Sequence, residues 1–215
     1  MSYLRISKMN IYFSCVLLLI SSCSIGKNIS SESPGEKNDL PELAIEYEDL
    51  LSSGDCSAPC FWNITPGITS KDDAIEILSQ KGDLEKCEKW NKVPNGANEG
   101  IGCNNLGITF NENGIVSSIV FDNFPSLNVS DLINKYGNPD KVAVITNEIQ
   151  SQEPVSMLLL FDNKQMVVGL HDQDMYPYNL QSTTKIESIL FCELNVYINF
   201  TNSYDSQWHD FGDYQ

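Results

Sequence analysis

The chain has 215 residues, with 13 Lys+Arg against 29 Asp+Glu for a formal net charge of -16, and is 41% hydrophobic and 10% aromatic. That apolar content can build a core and argues against wholesale disorder. The acidic balance argues against nucleic acid as a partner, since neutralising phosphate needs clustered Lys and Arg, and equally against a polybasic membrane patch. The length allows one ordinary domain or two small similar units.

Residues 1–22 contain no acid and two bases, Arg5 and Lys8, followed by an apolar run over 11–20. Such a run is too short to span about 30 Å of hydrocarbon as a helix but matches a signal-peptide h-region. The segment Leu19-Ile20-Ser21-Ser22-Cys23 then resembles the lipobox of bacterial lipoproteins, with Ile20 three places before the cysteine where Leu is usual. The resemblance implies that residues 1–22 are removed and that Cys23 becomes the N-terminus with a diacylglycerol on its sulfur. It further implies a protein held by lipid at the cell membrane or outer membrane, facing away from the cytoplasm. Two or three acyl chains suffice for a firm hold, at about 0.8 kcal/mol per buried CH₂. An ordinary secretory peptide or an uncleaved anchor are the alternatives for the same residues. Removal of residues 1–22 leaves 11 bases and 29 acids, a charge of -18, and five cysteines besides Cys23 in a disulfide-permissive compartment.

Residues 23–38 are Ser, Gly, Pro and charge, a flexible tether. Asp39 as N-cap, Pro41 and Glu42 open a helix to about Leu51, with Leu43, Tyr47, Leu50 and Leu51 on one face. A second helix starts at Thr69 or Ser70, with Asp72 and Asp73 at its positive end, Ala74, Ile75 and Leu78 inward, and Gly82 as its stop. Residues 83–100 read as an irregular loop with a turn at Pro94-Asn95-Gly96. Strands are expected at 107–110 and 115–121, joined by a turn at 111–114. A third helix runs over 129–136, capped by Asn128 and ended by Gly137 and Pro139. Strands follow at 142–146, 157–161, 166–170 and 186–200, the last long enough to predict a bulge inside it.

Residues 110–119 match residues 161–170, each a strand, polar turn and strand, and each follows a capped helix ending in glycine, Gly82 or Gly137. The sequence therefore predicts an α+β fold of two helix-plus-antiparallel-sheet units, 39–122 and 123–215, as a duplication. The run Pro66-Gly67-Ile68-Thr69, with Ala74 and Leu78 downstream, is similar to SmpA/OmlA-like envelope lipoprotein domains, as is Leu132-Ile133 with Tyr136-Gly137 and Pro139. The tandem arrangement also resembles the β-lactamase-inhibitor-protein fold. Both resemblances imply a protein that binds other proteins. Cys56, Cys60-Phe61-Trp62 and Pro66-Gly67 together resemble a signature of uncharacterised bacterial lipoproteins.

Cysteines 56, 60, 87 and 103 allow three pairings, of which Cys56–Cys60 with Cys87–Cys103 is preferred, the second closing the irregular loop. A thioredoxin-type motif needs two residues between its cysteines, and here there are three. Cys192 lies on the apolar face of a strand and reads as a free buried thiol. Cys60-Phe61-Trp62 faintly resembles the papain-type nucleophile, whose chemistry needs an activating histidine; only His171 and His209 exist, in no recognisable context. His171, Asp172 and Asp174 fall short of a zinc set, and no metal or other cofactor is expected. The tail places Tyr204, Trp208, Phe211 and Tyr214 among acids, either as binding anchors, with Trp62, or as a cover for an open sheet edge. The functional expectation is a non-enzymatic envelope lipoprotein that binds another envelope or extracellular protein. The alternative is an extracytoplasmic hydrolase or thiol-redox enzyme.

Overall fold

The structure is a computed structural model and describes residues 43, 45, 47–51, 56–90, 99–124, 126–145, 155–173, 177–202, 204 and 206–214. Cys23, the signal peptide, the tether, the helix start at 39–42, the turn at 94–96 and Asp174 lie outside the described residues. Four α-helices are described: α1 Tyr47–Leu51, α2 Lys71–Ser79, α3 Val129–Tyr136 and α4 Leu194–Thr201. The described strands are β1 Glu88–Trp90, β2 Glu99–Cys103, β3 Leu106–Phe110, β4 Val116–Asp122, β5 Lys141–Ile145, β6 Val155–Phe161, β7 Met166–Gln173, β8 Tyr178–Leu180, β9 Ile186–Cys192, β10 Ser206–Gln207 and β11 Gly212–Tyr214.

Nine of these form one sheet in the order β1-β2-β3-β4-β9-β7-β6-β5-β10, every pairing antiparallel, and β8 pairs with β11 apart from it. The fold is thus α+β and strand-rich. Period-two alternation sorts the sheet's side chains between two faces. On one face Met157, Leu159, Phe161, Met166, Val168, Ile189 and Phe191 join Leu50, Ala74, Leu78, Val129 and Leu132 in the main core, which places α1, α2 and α3 on that side. On the other, Leu160, Val167 and Cys192 pack with Tyr197 of α4. Near the β1 edge Trp90 lies across Gly100, where a Cβ would come within 2.3 Å of its ring.

The helices begin where their caps place them. The Ser70 hydroxyl accepts from the Asp73 N–H at 3.2 Å, and the Asn128 N–H donates to the Asp131 carboxylate at 3.0 Å. Gly137 closes α3 at φ +85°, a conformation that favours glycine. Two expectations need correction. Residues 186–200 are not one strand: β9 ends at Cys192, and α4 begins at Leu194 because Tyr197 and Thr201, four apart, take the buried side of a helix. A register irregularity does occur within β9, opposite Gly169/Leu170. Residues 83–100 are not wholly irregular, since they hold a 3₁₀ turn at Leu84–Lys86, then β1 and the start of β2.

Candidate functional site

The loop between α1 and α2 is built around a tight turn. Phe61 and Ile64 exchange backbone hydrogen bonds of 3.0 and 2.8 Å, and the two residues between them, Trp62 and Asn63, both have positive φ, +49° and +64°. Two positive-φ residues inside such a pair suit Asn or Gly, so an indole at the first position is strained and must be held by its surroundings. Three restraints hold it. Cys56–Cys60 closes the preceding segment with Cα atoms 5.6 Å apart, and the Asn63 N–H donates to the Cys56 sulfur at 3.3 Å. Phe61 and Ile64 are buried in the core. Phe61 then packs edge-on against Phe121 at 4.7 Å, and Phe121 against Phe191 at 5.6 Å.

This turn walls a groove of about 760 Å³. Asp49 and Leu50 of α1 line it, as do Cys56, Cys60, Phe61 and Trp62 from the loop, Ile77 of α2, Lys81 just beyond it, Lys135 and Tyr136 of α3, Lys164 of the β6–β7 turn and Phe191 of β9. Lys81 Nζ sits 5.2 Å over the Trp62 ring, whose centroid is 4.6 Å from that of Phe61. The Tyr136 hydroxyl donates to the Leu50 carbonyl at 2.8 Å, and burial pushes its pKa up to about 12. Tyr136 is therefore a neutral strut between α3 and α1.

The expected disulfides are present, Cys56–Cys60 and Cys87–Cys103, the latter with Cα atoms 4.5 Å apart. Cys60 is thus bonded and carries no thiolate for papain-like attack. Cys192 is free and buried, and burial first, then the Glu193 charge, pushes its thiol up to about 12. His171 is exposed on β7, and His209 stacks on Tyr214 at 4.0 Å; neither lines the groove. Among the described residues no group of three or more His, Cys, Asp or Glu is placed to hold a metal, and no helix is long and apolar enough to cross a membrane.

Of the aromatic residues singled out for binding, the structure brings only Trp62 to the groove. Tyr204 packs on Phe200 at 5.6 Å, and Trp208 on Phe211 and Tyr214 at 5.8 and 6.3 Å. The tail covers an edge, since β10 pairs with β5 and β11 with β8. Sequence reasoning missed Lys81, Lys135, Lys164 and Tyr136. For Lys135 a signal existed, because it is a cation in the last turn of α3.

No family model matches the chain, and no curated protein matches it. Among solved structures it is similar to a DUF4309 family protein (YjgB) from Bacillus subtilis subsp. subtilis str. 168, at 11% identity over 60% of this chain and 82% of that one, with a TM-score of 0.31.

Proposed function

We propose that the chain is a lipid-anchored protein of the cell envelope that binds another envelope or extracellular protein through the groove beside Trp62. The supporting observation is a strained, solvent-facing turn held by a disulfide and a row of two edge-to-face phenylalanine contacts (Phe61–Phe121 and Phe121–Phe191), an arrangement that pre-organises a surface before a partner arrives. Two disulfides suit an oxidising compartment outside the cytoplasm. The same reading treats α2 with β1–β4 and α3 with β5–β7 as duplicated units. A helix precedes an antiparallel meander in each, four strands (β1–β4) in the first and three (β5–β7) in the second, and the last strand of each, β4 or β7, pairs with β9.

Two measurements test it. Metabolic labelling with a fatty acid should mark the wild-type chain, whereas Cys23→Ala should abolish incorporation and release the protein from the membrane; label persisting in that variant refutes the anchor. A photo-reactive side chain at the exposed groove residue Ser57 should give one discrete protein adduct in intact cells, and one at the exposed turn residue Asn113 should not. Equal adducts from both positions, or none from Ser57, sink the binding role.

A further inference from the structure

The charge around the groove runs against the charge of the molecule. The chain holds 29 acids to 13 bases, yet among the described residues the groove is lined by three lysines, Lys81, Lys135 and Lys164, and one acid, Asp49. The three lysines come from three separate elements. Elsewhere in the fold Lys71 pairs with Glu99, Lys86 with Asp83 and Lys141 with Asp162, while Lys89 and Lys185 are single exposed lysines away from the groove. Among the described residues Lys81, Lys135 and Lys164 form no ion pair with a carboxylate. Three like charges left unpaired around one concavity repel each other, and in a chain this rich in acid such an excess is relieved by an anionic occupant.

We infer that the groove takes an acidic peptide segment of the partner protein, its carboxylates meeting Lys81, Lys135 and Lys164 and its apolar side chains meeting Ala58 and Ile77. The inference rests on the binding role proposed above and names the chemistry of what is bound. Two features favour a peptide over a sugar or a fixed phosphate headgroup. The Trp62 ring is already engaged by Phe61 and Lys81, so it holds the Lys81 ammonium at the groove instead of offering an open platform for a sugar ring. Half-buried Ala58 and Ile77 line the groove beside the lysines and reward apolar side chains that a bare anion does not carry. The C-termini of α2 and α3, each worth at most about half a negative charge, are outweighed by three full cations. Asp131, one turn before Lys135 on α3, offsets only part of that charge.

The test titrates the full-length chain, purified in detergent, into a fluorescein-labelled peptide in which glutamate alternates with leucine and serine, against the same peptide with every glutamate replaced by glutamine. The acidic peptide should bind about 10-fold or more tightly, and its affinity should fall as NaCl rises from about 50 to about 500 mM. Each of Lys81→Ala, Lys135→Ala and Lys164→Ala should weaken it by about 2–5-fold and the triple variant by about 10–100-fold, with unchanged thermal unfolding confirming the fold. The inference is overturned if the glutamine peptide binds as well, if affinity rises with salt because the overall negative charge dominates, or if the triple variant binds normally. Lysine-dependent binding of inorganic phosphate or phosphatidylglycerol vesicles with no peptide binding also overturns it. An adduct from Ser57 that survives in the triple lysine variant leaves the binding role standing while this inference fails; loss of the adduct in the wild type removes both.

Discussion

Phe121→Ala should lower the stability of the domain by about 3–5 kcal/mol, measured as a shift in the urea midpoint at unchanged slope. Phe121 is wholly buried and lies between two partners, 4.7 Å from Phe61 and 5.6 Å from Phe191, both near edge-to-face. Its removal deletes the side-chain volume and two aromatic contacts worth about 0.5–1.5 kcal/mol each beyond area. The position also links β4 and β9 to the groove turn, so the same variant should expose residues 56–64 to protease well before global unfolding. A loss under about 1 kcal/mol would show that the surroundings collapse into the space and that the phenylalanine row is not the turn's support.

The two disulfides should separate stability from binding. Replacing Cys87 and Cys103 together with Ala should cost about 3 kcal/mol, the chain-entropy value for a loop of roughly 15 residues. That bridge sits beside the first β1–β2 pair, Glu88↔Gly102, and β1 is an edge strand of three largely exposed residues with little burial to hold it. Replacing Cys56 and Cys60 closes out a much shorter loop and should cost about 2 kcal/mol, yet it frees the positive-φ turn at Trp62 and should nearly abolish peptide binding at the groove. Urea midpoints and peptide titrations on both double variants check the crossover. If both variants lose stability and binding in the same proportion, the Cys56–Cys60 loop has no special hold on the groove.

Much of the local structure is legible in the chain. Ser70 and Asn128 announce α2 and α3, Gly137 and Pro139 announce an end, and the turn at 111–114 announces a hairpin, because each of these is a short-range effect of caps and φ preferences. The bridge between Cys87 and Cys103 is the preferred one of the three pairings that the four cysteines allow. Residues 186–200 mislead for a physical reason: Leu190, Cys192, Leu194, Val196 and Ile198 alternate as a strand does, and only packing against Leu160 and Val167 decides that Tyr197 turns inward on a helix. That choice leaves Leu194 and Ile198 at 52% and 42% exposure, which no local rule favours. Strands β1, β10 and β11 are too short to show a period and exist because an edge partner supplies their hydrogen bonds. In the groove, Trp62 stands out by residue type, whereas Lys81, Lys135 and Lys164 share no spacing and meet only when three elements come together.

Strand β9 has a consequence for the order in which the molecule can be made. It is the last core strand in the chain but lies in the middle of the sheet, with Phe121 opposite Ile189 on one flank and Val168 opposite the same residue on the other. Until residues 186–192 emerge, the meander ending in β4 and the one ending in β7 each present an open row of backbone donors and acceptors, and no earlier described strand pairs with both. Closure therefore depends on contacts of long sequence separation, which slows folding and prolongs the interval in which a neighbouring chain can pair with either edge. A chain interrupted before β9 would retain both halves of its sheet and lack the seam that makes them one molecule.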